Sequence, residues 1–321
     1  MRCDFKRAGV EGAERKLSQI SNTADADRID AVFNVLSEDD RTLTAQALAA
    51  TRADVCALQE VENLVTLTAF HNRYLTRWAD RPYQERILFE GNDGRGIDVA
   101  LLSRLSVVSK KSHAGETFGS LGIKPPKGAP KNARVFRRDC LEVDVVKDGR
   151  ALTLYVCHFK SMHGGRPETR AIREQEAAGV RKIIERRFAN PAKEDWIILG
   201  DLNDYLEIDG RPASDHGLGP LVDDGFAQDL AMLTIGDDLE RWSHHYPREN
   251  TYSALDHMLL SPAIAGLNHS ASATYVRAGT PWRCARHMGW RFPGIGWSKP
   301  KASDHCPLAA TIMFTGRPVT G

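Results

Sequence analysis

Five short apolar runs in this chain begin or end on an acidic, amide or imidazole side chain, and that placement constrains the fold more than any other feature. Glu60 closes DVCALQE, His158 closes LTLYVCH, Asp201 and Asn203 follow WIILG, Asp256 opens DHMLL, and Asp304-His305 precede CPLAATIMF. Runs of this length read as strands. A polar residue at the end of one strand usually just starts a loop. Strands lying side by side, however, bring their ends together, and then four carboxylates, an amide and two imidazoles meet in one pocket. So many like charges repel unless a cation or hydrogen bonds offset them. Carboxylate donors without cysteine favour a hard cation, Mg²⁺ or Mn²⁺, with zinc the weaker alternative.

The remaining pattern is rich in hairpins. Residues 83–90 alternate as a strand, 91–94 (GNDG) make a turn, and 96–103 (GIDVALLS) form the returning strand. Residues 140–146 and 152–159 form a second hairpin through Lys147-Asp148-Gly149. A long charged helix is expected between Pro167 and Phe188, with Val180, Ile183 and Ile184 on one half of its wheel. Helical patterns also cover 42–52 and 62–75, whereas 204–254 and 266–303 read as long loops; His244-His245 fall in the first and read as solvated. Hairpins with single covering helices indicate antiparallel or mixed sheets rather than a doubly wound parallel sheet. Without an internal repeat or linker, one domain over 1–321 is expected, with 1–52 an atypical polar N-terminal region.

Composition excludes several classes. With 321 residues, 42% of them hydrophobic, and 43 Lys+Arg against 42 Asp+Glu, the chain is neither disordered nor a bulk polycation. No run approaches the ~18 to 20 apolar residues of a membrane span, and the start MRCDFKRAGVEGAERK has no apolar signal core. A cytoplasmic protein is expected. The six cysteines show no CxxC spacing and read as buried free thiols. The near-zero net charge conceals two basic stretches, 117–138 and 277–303, with twelve cations and no acid between them. The second interleaves Trp282, Trp290, Phe292 and Trp297 and leads into Asp304-His305. Cations track a phosphate backbone and aromatic rings stack bases, so Arg283, Trp290 and Trp297 are candidate substrate contacts. The opposing reading packs the tryptophans onto the protein body. Asp98 and Lys160 are further candidates, the first alternatively an ion-pair partner of Arg95.

LQEVEN (58–63), GRGIDVALLSR (94–104), CHFKS (157–161), GDLND (200–204), LDHMLLSP (255–262) and SDHCPL (303–308) together resemble the endonuclease/exonuclease/phosphatase superfamily. That superfamily includes DNase I-like and abasic-site nucleases, sphingomyelinases and inositol-polyphosphate phosphatases. The resemblance implies an α/β (α+β) four-layer sandwich, two mixed β-sheets packed face to face and flanked by helices. It also implies metal contacts from Glu60 and Asp304, an attacking water oriented or deprotonated by Asp201, and phosphate contacts from Asn203 and His158. Asp256 would fix and polarise His305. The family's first strand carries an Asn. Phe33-Asn34-Val35-Leu36 looks similar, yet Ile29, Val32, Phe33 and Leu36 have helical spacing. Either Asn34 fills that role or the strand is missing, leaving an edge or gap beside Glu60.

The leading expectation is a Mg²⁺-dependent phosphodiesterase on DNA or RNA. A phosphomonoesterase or a lipid or inositol phosphoesterase with the same centre is the alternative, and a catalytically weak nucleic-acid-binding protein the third.

Overall fold

A computed structural model describes residues 37–208 and 210–319; Asn34 lies outside them. Helix α1 (Glu38–Ala50) starts at Ser37, whose hydroxyl accepts the Asp40 N–H, and carries Glu38, Asp39 and Asp40 in its first turn, where the helix dipole favours negative charge. Strand β1 (Val55–Val61) follows, then α2 (Leu64–Arg73), capped by Asn63. Strands β2 (Glu85–Leu88) and β3 (Asp98–Ser103) form the expected hairpin, and β3 lies between β1 and β2 in a three-stranded sheet.

The larger sheet contains β4 (Ser106–Ser112), β5 (Cys140–Lys147), β6 (Arg150–His158), β7 (Trp196–Asp201), β10 (Gln228–Asp229) and β13 (Asp256–Leu260) in the order β10-β13-β7-β6-β5-β4. The β5–β6 turn places both Asp148 and Gly149 at positive φ, which suits a tight hairpin. Short helix α3 (Phe118–Leu121) precedes β5, and the 22-residue α4 (Arg166–Arg187) crosses from β6 to β7 and makes that pair parallel. Minor hairpins β8 (Glu207–Ile208) with β9 (Arg211–Pro212) and β11 (His244–Tyr246) with β12 (Thr251–Ser253) lie between β7 and β13. Helices α5 (Gly219–Val222), α6 (Leu230–Thr234) and α7 (Pro262–Leu267), the pair β14 (Ala273–Tyr275) and β15 (Leu308–Ala310), and β16 (Arg317–Pro318) beside β6 complete the chain.

Period-2 alternation gives each sheet two apolar faces. Ile87, Val99 and Leu101 of the small sheet meet Val143, Leu154, Val156 and Leu199 of the large one in a shared core. Cys140, Tyr155 and Ile198 face outward onto Val180, Ile183 and Ile184 of α4, while Leu58 and Leu102 face Leu43 and Leu48 of α1 and Phe70 of α2. Burying each such aliphatic side chain stabilises by roughly 1.5–3 kcal/mol. Two sheets therefore pack face to face between helices. Among the described residues the three-stranded sheet is antiparallel, with no helical crossover joining its strands, and the larger sheet is mixed. Strand β1 pairs on one side only among those residues, and a cavity of about 90 Å³ lies between its Val55, Ala57 and Gln59, Leu199 and Met258 of the larger sheet and the Leu308–Ala310 segment.

Candidate functional site

The ends of β6, β7 and β13 bring three chemical groups into one row. Strand register sets His158 opposite Asp201 and Asp201 opposite Asp256, and residues directly opposite one another project on the same face of a sheet. His158 Nε2 lies 3.6 Å from Asp201 Oδ2. Gly200 permits this close approach. Its φ is +137°, and a Cβ there would fall 2.0 Å from the Cys157 carbonyl oxygen and 3.1 Å from Gln59 Nε2. Gln59, beside Gly200, carries β1 to the same place, and Glu60 follows it buried, at φ +58° where the β1–β3 register shifts. Asn203 also has positive φ; its N–H donates to Asp201 Oδ1 (2.9 Å) and its amide to the Phe159 carbonyl (3.0 Å).

The SDHCP segment enters from the far end of the chain. Helix α1 holds it: the Lys301 N–H donates to Asp40 Oδ1, and the Thr44 hydroxyl donates to the Ala302 carbonyl. His305 then lies buried with Nδ1 2.6 Å from Asp256 Oδ2, while Asp304 is partly exposed. Burial alone would lower the His305 pKa, but the charges of Asp256, Asp201 and Asp304 outweigh it and raise it to about 9. Burial would raise Asp256; its imidazolium partner instead pulls it far below the usual carboxylate range. Burial raises Asp201, the Asp256 charge adds to the rise, and His305 opposes it. The pair at rest is imidazolium and carboxylate, beside a more basic Asp201.

Sequence reasoning missed the hairpin that fastens this pair. Ser243, fully buried, accepts the N–H groups of Leu255 and Asp256 on its hydroxyl (3.0 Å each) and the Cys306 N–H on its carbonyl. His244, read above as solvated loop, forms a β-bridge with His305, ring centroids 4.7 Å apart. The strand is only three residues long and shows no apolar alternation, so its pattern gave no signal. Asp204 and His257 were missed too. Asp204 takes Arg166 Nε at 2.7 Å, Arg173 Nε at 2.8 Å and the Gly217 N–H at 2.8 Å. His257 spans Asp229 Oδ2 (2.7 Å, Nδ1) and the Asp204 carbonyl (2.9 Å, Nε2), fixing the loop after β7 that carries Asn203.

The remaining candidates lie apart from the row. Asp98 is buried opposite Val61, next to Glu60, and accepts the Gly91 N–H at 2.7 Å; burial raises its pKa to about 6. Arg95 pairs with Asp93 rather than with Asp98. Lys160 Nζ donates to the Ser161 and His163 carbonyls. Arg283, Trp290 and Trp297 belong to the loop between β14 and β15, where the tryptophans stay exposed. Arg138, in the first basic stretch, is a buried tie between Asp93 and the Phe159 carbonyl. All five described cysteines are buried free thiols.

Among the described residues no three His, Cys, Asp or Glu side chains are arranged to hold a metal ion as they stand. The donor chemistry nonetheless fits a hard cation: Glu60 and Asp304 offer carboxylate oxygens, and Asn203 an amide oxygen. No described helix is long and apolar enough to cross a membrane.

The sequence profile described as the Endonuclease/Exonuclease/phosphatase family matches residues 31–305. No curated protein matches the sequence. Among solved structures, an endonuclease/exonuclease/phosphatase family protein from Leptotrichia buccalis superposes with TM-score 0.53 at 15% identity, over 87% of this chain and 96% of that one. A mannosyl-6-phosphatase from Bacteroides thetaiotaomicron gives 0.52 at 14% over 98% of both, and TDP2 from Caenorhabditis elegans 0.51 at 15% over 91% and 72%. At these identities the likeness is one of fold.

Proposed function

Because the chain belongs to the Endonuclease/Exonuclease/phosphatase family, and is thereby a phosphoester hydrolase, we propose that it cleaves phosphodiester bonds of DNA or RNA with a divalent cation, Mg²⁺ or Mn²⁺. Glu60 and Asp304 would hold that cation. When bound it supplies charge neutralisation at the phosphate and a lower pKa for water. The chain's own residues do the rest. Asp201, basic for a carboxylate, orients the attacking water and takes its proton. The His305 imidazolium, held by Asp256, donates to a phosphate oxygen as negative charge develops there. His158 and the Asn203 amide contact the non-bridging oxygens. The observation that carries this reading is the 2.6 Å His305–Asp256 contact set beside Asp201: one group is poised to give a proton where its neighbour is poised to take one.

Nucleic acid is favoured over a small monoester by the basic, aromatic loop that leads into Asp304-His305. The test incubates purified protein with single- and double-stranded DNA, RNA, phosphorylated inositols and a sugar phosphate, each with Mg²⁺ and with EDTA. Mg²⁺-dependent cleavage of a polynucleotide supports the reading. Cleavage indifferent to EDTA sinks the metal, and turnover confined to phosphomonoesters replaces the nuclease with a phosphatase.

A further inference from the structure

Tryptophan is on average a well-buried residue, yet the loop between β14 and β15 displays three. Trp282 is 51% exposed, Trp290 69% and Trp297 71%, with Met288 beside them at 90%. They do not pack the loop onto the body. Smaller side chains do that: Phe292 and Ile295 enter the core with Leu43 and Leu48, and Cys284 is fully buried. The framework beneath the tryptophans is built. Arg291, buried, donates to the Thr280 and Cys284 carbonyls and stacks on the Trp282 ring at 4.4 Å. The Trp282 backbone N–H donates to the Gly296 carbonyl and the Arg283 backbone N–H to the Trp297 carbonyl, so the two arms of the loop run together where Trp282 and Trp297 leave them.

The cations of this loop divide by role. Arg277 pairs with Glu240, and Arg291 is spent on carbonyls. Arg283, Arg286, Lys299 and Lys301 remain, in a stretch with no acid. Three of these four bear electrostatically on His245, whose ring stacks on Tyr252 at 4.6 Å, with Arg286 over the same tyrosine at 4.2 Å. His245 adjoins His244, which contacts His305. The loop thus reaches the candidate centre through Arg286 and the β11–β12 hairpin.

We propose that the exposed face formed by Trp282, Trp290 and Trp297 is a stacking platform for the unpaired bases of single-stranded nucleic acid, whose backbone the neighbouring cations lead to His305. The proposal rests on the nuclease reading and narrows it to single strands. Rings stack on bases only where the bases are free of a duplex, and a π-face accepts any base, so the platform selects strandedness rather than sequence. A lipid surface would also accept tryptophan tips, but four cations beside a phosphoester centre match a polyanion threaded past it.

The decisive measurement is binding in EDTA, which separates capture from cleavage. Fluorescently labelled single-stranded DNA, a duplex of equal length and vesicles containing phosphatidylglycerol are titrated against the protein, with tryptophan emission followed in parallel. Single strands are expected to bind more tightly than duplex and to quench the emission, and Trp290→Ala and Trp297→Ala each to weaken single-strand binding roughly 5- to 100-fold. Equal affinity for duplex, undiminished binding by the double variant, or quenching by vesicles but not by oligonucleotide overturns the proposal. So does emission that acrylamide cannot quench in the free protein, since another part of the chain would then cover the face. Hydrolysis of bis(p-nitrophenyl) phosphate with Mg²⁺ is measured on the same preparation. Hydrolysis without strand binding sinks the platform alone, whereas binding without hydrolysis sinks the catalytic reading alone.

Discussion

Single residues at this site bear conformations and charges that would be costly elsewhere. Glu60 and Asn203 both occupy left-handed backbone, which disfavours side chains with a Cβ by roughly 1–2 kcal/mol. Glu60→Gly relieves that strain and Glu60→Ala does not. Urea denaturation is therefore expected to find the glycine variant about 1 kcal/mol the more stable of the two, with both inactive; equal stabilities would show that the backbone there is unstrained. His305→Ala is expected to lower kcat about 10²- to 10⁴-fold, the usual contribution of a proton-transfer group, and a smaller loss would remove His305 from the chemistry. His257 is a separate case. Both its ring nitrogens face acceptors, so only the imidazolium satisfies both. Burial alone would lower its pKa, yet Asp229 and the Asp204 carbonyl raise it above 6.5. A raised histidine contributes stability that is complete below its unfolded pKa and fades as pH climbs through the folded value. From near pH 6.5 upward the parent protein should therefore lose stability faster than Asp229→Asn; parallel curves would show that His257 does not titrate there.

At the scale of elements, legibility in the sequence followed burial. Strands β1, β3, β5, β6, β7 and β13 were visible because each is an apolar run with a polar end, and α4 because Val180, Ile183 and Ile184 recur at helical spacing. Strand β4 was not, since SVVSKKS lies mostly exposed at the sheet edge, where lysines discourage further pairing rather than mark a core. The run at 308–314 is strand only to Ala310, its pairing with β14 ending there. The row His158, Asp201, Asp256 and His305 could be assembled from motif ends alone, but His244 and Ser243 could not, because a three-residue strand is defined by its partners. Gly200 tests the packing that permits the row. Its φ and the 2.0 Å approach of a Cβ to the Cys157 carbonyl leave no space for alanine. Gly200→Ala should cost about 2–4 kcal/mol in denaturant unfolding; a neutral result would mean that β6 and β7 separate freely at their ends.

At the scale of the molecule, the larger sheet aligns His158, Asp201 and Asp256, α1 holds the segment that carries Asp304 and His305, and the proposed site adds Glu60 from the end of β1. If Glu60 and Asp304 hold the proposed cation, its binding should stabilise the folded chain. Free Mg²⁺ at about 100 times its Kd is expected to add about 2.7 kcal/mol by mass action, read as a rise in Tm that Glu60→Gln abolishes; an unchanged Tm would argue against a cation bound only by the folded protein. The hold of Asp40 on the Lys301 backbone, 261 positions along the chain, has a consequence for timing. A ribosome delivers Glu60 long before His305. Until the segment holding His305 emerges, the growing polypeptide lacks the His305–Asp256 pair, 49 positions apart, that the proposed chemistry requires.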